Sequence, residues 1–266
     1  MQHVRSAACA ALVTAMLASH GSIVGAQAAD TSKIDTSAVS ALVRMGHYLR
    51  TLNTFQVSAV VSTEDVNDDG MKLQSTSNVR LLAQRPNRMF VDITNDRQPR
   101  QLYYDGKTFT LWAPKLKFYA QVPAPATIIE LVDTLDTRFA LDVPFVDLFR
   151  WGTSDSSIKE IDEAIDAGPA MVNGITCQHY AFRQDGLDWQ IWIQKGAYPL
   201  PQKIVLTTTT DDARPQHESV YTWNLAPSFN DKAFAFVIPP DAKKITLADV
   251  NKMRTVAKKN GGGDKK

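Results

Sequence analysis

The sequence predicts an α+β domain built on one large antiparallel sheet of about eleven strands. Three observations predict it. Segments rich in Val, Thr, Leu and aromatics, two of them clearly alternating, run almost the length of the chain and meet at short turn signals. Two segments instead carry apolar residues at helical spacing. No internal repeat and no long linker divides the 266 residues. A twisted sheet of that size tends to curl or close.

The elements follow in order. Residues 1–28 read as a secretory signal peptide, not as fold. Arg5 supplies the positive start, the run from Ala7 to Ala18 is apolar, and Ala26-Gln27-Ala28 gives the small residues that a signal peptidase needs. The run is too short for a stable membrane span, and nothing after Ala29 approaches the length of one. Cys9 lies at the start of the apolar run, where lipid attachment does not occur. The mature protein is therefore expected to be soluble and exported, with no transmembrane segment.

A helix is expected over Ile34–Leu52. Ala38, Leu42, Met45, Leu49 and Leu52 make its apolar stripe, and Asp35 or Thr36 caps its start. Strands are expected near 55–63, 72–84, 87–94, 100–104, 107–112 and 115–122. In the last of these Leu116, Phe118, Ala120 and Val122 alternate with Lys115, Lys117, Tyr119 and Gln121. Asp105-Gly106 marks a two-residue hairpin.

Pro123 and Pro125 then end the strand pattern. Ile128, Val132, Leu135 and Phe139 recur at helical spacing, as a helical insertion across the sheet. Strands resume near 161–170, 174–183, 187–194, 203–210 and 216–225, with hairpin signals at Asn173-Gly174 and Asp185-Gly186. Trp189, Ile191 and Ile193 share one face of their strand. The single domain is expected over 30–248. Residues 249–266, basic and carrying three consecutive glycines, read as a disordered tail.

Composition excludes several classes of function. The chain is 44% hydrophobic, enough for a full core. Its charge of +1 falls to zero once Arg5 leaves with the signal, so nucleic acid is not an expected partner. Only Cys177 remains in the mature chain, so no intramolecular disulfide forms.

Motifs of chemistry are sparse. Asp65-Val66-Asn67-Asp68-Asp69-Gly70 matches the first half of a calcium loop, but its twelfth position is Thr76 and its flanks read as strands. A polar hairpin turn is the better reading. Cys177 and His179 sit two apart on one strand face with no third orienting group. The three histidines of the mature chain, His47, His179 and His217, show no metal-ligand spacing. No nucleophile elbow, zincin motif or phosphate loop occurs. No catalytic residue, metal or cofactor is expected, and the protein reads as a non-enzyme.

Several segments together resemble a family of predicted periplasmic proteins, domain-of-unknown-function family 2092. They are Leu102–Thr108 (LYYDGKT), Leu111–Pro114 (LWAP), Tyr119–Pro125 (YAQVPAP), Phe182–Gln184, Asp188–Ile193 (DWQIWI), Pro199–Pro201 and Pro239–Ile245 (PPDAKKI). The resemblance implies a periplasmic location and a lipoprotein-carrier (LolA-like) fold, a curved antiparallel half-barrel whose concave face is covered by helices. In better understood members of that superfamily the cavity between sheet and helices holds or senses acyl chains.

The expectation is thus an exported binding protein that holds a lipid or a lipoprotein acyl chain. The candidate lining residues are Leu116, Phe118, Trp189 and Ile191 from the sheet, and Ile128, Val132 and Leu135 from the helical lid. The alternative is a periplasmic protein-interaction or envelope-sensor module without lipid carriage.

Overall fold

The computed structural model describes residues 33–153 and 157–248. The expected signal peptide and tail lie outside the described residues. The helix α1 (Thr36–Thr51) leads into six strands: β1 (Thr54–Val66), β2 (Lys72–Gln84), β3 (Arg88–Thr94), β4 (Arg100–Tyr104), β5 (Thr108–Ala113) and β6 (Phe118–Pro123). Two helices follow, α2 (Ile128–Phe139) and the single turn α3 (Asp147–Arg150). Then come β7 (Glu163–Val172), β8 (Ile175–Gln184), β9 (Leu187–Gln194), β10 (Pro201–Thr208), β11 (Gln216–Asn224) and the short β12 (Lys243–Ile245).

Among the described residues these twelve strands form one curved sheet, in the order β12-β6-β5-β4-β3-β2-β1-β11-β10-β9-β8-β7. Every named neighbour pair is antiparallel except β12 with β6. Two meanders, β1–β6 and β7–β11, are joined along β1 and β11. β6 lies near one edge of the sheet and β7 forms the other. The connection between them must therefore cross the whole sheet, and it carries α2 and α3 over the concave face.

That face is the core. Odd positions of β1 (Phe55, Val57, Ala59, Val61) and of β9 (Trp189, Ile191, Ile193) point into it with even positions of β8 (Tyr180, Phe182). The stripe of α1 (Ala38, Leu42, Met45, Leu49) and that of α2 (Ile128, Leu131, Val132, Leu135) pack against them. Each large apolar side chain so buried contributes roughly 1.5–3 kcal/mol.

Local chemistry fixes the helix ends. Asp35 caps α1, its carboxylate accepting from Ser37 N at 2.8 Å. Thr127 and Glu130 close a capping box at the start of α2, and Ala140 ends it in the left-handed region. α1 and the residues after α3 meet backbone to backbone. A Cβ on Gly46 would lie 2.6 Å from Gly152 N. Arg50 Nη1 donates to Gly152 O at 2.7 Å across the same contact.

Two sequence expectations need correction. The strand expected over 115–122 starts only at Phe118. Pro114–Lys117 form a turn with Lys117 at φ 56°, and Leu116 N donates to Ala113 O. Leu116 is therefore 58% exposed on that turn, not an inward strand residue. The sheet also gains β12, which no alternation announces.

The convex face is covered at one end. Phe234 is buried against Leu82 and Phe90, and Phe236 packs on the rings of Tyr103, Trp112 and Tyr119 at 5.3–5.6 Å between centroids. The chain continues into β12 at the β6 edge, with Lys117 paired to Asp241 at 2.5 Å.

Candidate binding site

The register of β1, β11, β10 and β9 lays inward side chains in rungs. Thr63, His217, Leu206 and Trp189 are successive cross-strand partners, and Val61, Ser219, Ile204 and Ile191 form the next rung. Over the outer part of these rungs the segment Phe145–Trp151 stands off the sheet. It leaves a cavity of about 220 Å³. The floor is Trp189, Ile204, Leu206, His217, Ser219 and Tyr221, and the wall is Phe145, Asp147, Leu148 and Trp151. Leu187 and Gln184 complete the rim.

The cavity is amphipathic. Its apolar side is continuous with the core, while its polar groups are few and specific. Trp189 Nε1 donates to Gln184 Oε1 at 3.1 Å. His217 Nδ1 lies 3.0 Å from Thr63 Oγ1, and its Nε2 lies 3.4 Å from Ser219 Oγ. Burial pushes the imidazole below its ordinary value, which keeps it neutral at pH 7. Burial raises the Tyr221 phenol strongly.

Asp147 differs from the rest. Among the described residues of the lining it is the one exposed, so it marks the mouth. Protein still crowds its carboxyl, and that desolvation pushes it above the usual carboxylate range, opposed by the charge of Arg150. Arg150 itself is paired with Asp133 at 2.6 Å. Phe145, at φ 63°, sets its ring edge-on to Tyr221 at 5.3 Å.

A second hollow, about 250 Å³, lies on the convex face around Ser58, Asn78, Arg80, Asp92 and Thr222. Arg80 and Asp92 oppose each other there at 3.6 Å, so its charges are mutually satisfied.

The family described as "Predicted periplasmic protein (DUF2092)" matches residues 38–248, most of the chain and all of the strands. The chain belongs to this family. No curated protein matches it. Among solved structures it is similar to the lipoprotein LppX of Mycobacterium tuberculosis, at 8% identity and TM-score 0.46 over 74% of this chain and 100% of that one. It is similar to LprF from Mycobacterium bovis, at 11% identity and TM-score 0.46 over 79% and 99%. A LolA superfamily protein from Nitrosomonas europaea matches at 11% identity and TM-score 0.33 over 75% and 97%. Likenesses at this level transfer no ligand or activity.

In this DUF2092 chain the residues expected to line a cavity fall in different places. Trp189 borders it. Ile191 sits one rung away in the closed core, fully buried. Ile128, Val132 and Leu135 of α2 are also packed into the core, with no more than 3% exposed. Phe118 stands at the start of β6, outside that cluster, and Leu116 is on its exposed turn.

The other sequence candidates find separate partners. Asn67 Oδ1 accepts from Asp69 N and Met71 N, which makes the Asp65–Gly70 segment a side-chain-closed hairpin turn. Cys177 Sγ donates to Ile175 O, and burial pushes its thiol up. His179 stacks on Trp192 at 4.0 Å with its Nε2 3.0 Å from Gln190 Oε1.

Sequence reasoning missed Asp147, His217 and Ser219 as cavity residues. The signal was present in β11. There His217, Ser219, Tyr221 and Trp223 alternate with Glu218, Val220 and Thr222, which places two polar groups among inward aromatics.

Proposed function

We propose that this protein is an exported periplasmic binding protein that takes up the alkyl chain of a lipid or of a lipoprotein. The amphipathic cavity between β9–β11 and the Phe145–Trp151 segment is the observation that carries the reading. Its volume lies just below the roughly 300–1,000 Å³ of small-molecule sites. An apolar cavity of about 150 Å³ can hold a benzene-sized ligand, so this one accepts a short alkyl chain as it stands. A full acyl chain needs the Phe145–Trp151 segment to swing outward from the sheet. Each methylene buried would contribute roughly 0.8 kcal/mol. In this reading the leader over 1–28 is cleaved on export, and the work is binding and not catalysis.

The test is organic extraction and mass spectrometry of protein purified from the periplasm, beside a Leu206→Trp variant that fills the cavity. The expected result is a copurifying alkyl ligand, depleted in the variant. A wild-type protein that carries no lipid and takes up no alkyl ligand when offered one would overturn the reading.

A further inference from the structure

We propose that the cavity prefers amphiphiles with an amine-bearing, cationic head over those with an anionic head, and that Asp147 sets the preference. The proposal rests on the binding reading above and adds the class of ligand to it.

The polarity of the cavity runs in one direction. Leu148, Trp151, Trp189 and Ile204 are buried, whereas Asp147 is exposed as a residue at the solvent edge, with protein crowding one side of its carboxyl. A chain that enters tail first therefore leaves its head beside this carboxylate. The charge balance there is one-sided. Among the described residues that line the cavity there is no Lys or Arg, and Asp147 is the sole acid. Among the described residues no hydrogen bond or ion pair holds the Asp147 carboxylate. Arg150 is the cation that acts on it electrostatically, and it is committed to Asp133.

The remaining polar groups do not offset that charge. His217 is engaged by Thr63 and Ser219, and Gln184 turns its acceptor oxygen to Trp189. A carboxylate or phosphate head at the mouth would meet a like charge, with the nearby Arg150 already paired to Asp133. A protonated amine there gains a charge-assisted hydrogen bond that an alcohol cannot match. The site is open to solvent, so the gain is modest and salt-sensitive.

The test uses three probes of equal tail length: octylamine, octanol and octanoate. Each is titrated at pH 7.5 into the purified protein, with the Trp189 indole N–H followed by NMR. The expected order is amine, then alcohol, then carboxylate, with a step of roughly fivefold in Kd between neighbours. In Asp147→Asn the three should converge while octanol keeps its wild-type affinity, which also shows that the variant is folded. In 0.5 M salt the wild-type spread should shrink. Equal binding of octylamine and octanoate by the wild type, or an unchanged preference in Asp147→Asn, would overturn this proposal and leave the binding reading standing. Failure of all three to bind would overturn both.

Discussion

His217 reaches the cavity floor as a neutral imidazole held between Thr63 and Ser219. Burial holds its folded-state pKa below the unfolded value near 6.5. As pH falls through about 6.5 the unfolded chain takes up the proton first, so stability declines from there down to the lowered folded value. Asp35, Glu64, Asp188 and Asp241 are held low by partners, so their contributions disappear only nearer pH 4. The Asp147 carboxyl is shifted the other way and gives no loss in this window. Thermal melting between pH 7.5 and 5.5 should therefore show a falling Tm for the wild type and a flatter profile for His217→Gln. Each 1 kcal/mol lost corresponds to about 2–4 °C. Parallel profiles would refute the assignment. At this scale the sequence was only partly legible. The alternation of β9 put Trp189 on one face with Ile191 and Ile193, without saying that this face was the inner one. Asp147 and His217 lie 70 residues apart and meet only through the sheet-crossing connection, which no local pattern encodes.

At the scale of elements, α1 and the Phe145–Trp151 wall are held together by the Gly46–Gly152 contact. A Cβ at Gly46 would meet backbone atoms of Gly152 at 2.6 and 2.9 Å, and backbone cannot rotate away as a side chain can. Gly46→Ala should therefore push the wall off α1 and cost about 1–3 kcal/mol, despite the better helix propensity of alanine. Hydrogen exchange should quicken at Leu148–Trp151 while the middle of α1 stays protected. Unchanged exchange with an unchanged Tm would show that the contact gives way without cost. The elements themselves were largely legible, because the segments of β1–β11 are rich in strand-forming residues and bounded by turn signals, and α1 and α2 carry their own stripes. Leu116 shows the limit. Alternation continued across Pro114–Lys117, but the turn, not the pattern, decides where a strand begins. β12 was illegible for the opposite reason. Lys243–Ile245 are all exposed, and their strand character comes from pairing with Phe118–Ala120 more than a hundred residues away.

For the whole molecule, the question that local patterns left open was which sheet face is the inner one. On β3–β6 both faces carry large apolar residues: Val91 beside Phe90, Leu102 beside Tyr103, Leu111 beside Trp112. The reason is that this half of the sheet is covered twice. Helices pack on its concave side, and the segment around Phe234 and Phe236 packs on its convex side before β12 closes the β6 edge. Removing that segment should thus have two physical consequences. Deletion of residues 227–266 would uncover Leu82, Phe90, Tyr103, Trp112 and Tyr119 as one apolar patch, and it would leave β6 as an unpaired edge. Exposed apolar patches and flat open edges both drive association. The truncated chain should elute from size exclusion as larger species than the full chain at equal concentration, and with a lower Tm. Phe234→Ala, which keeps β12 and removes only the buried ring, should cost about 3–5 kcal/mol without opening the edge. It should therefore lower Tm with less self-association than the deletion. A truncated protein that matches the full chain in both size and Tm would show that the segment rests on the sheet without supporting it.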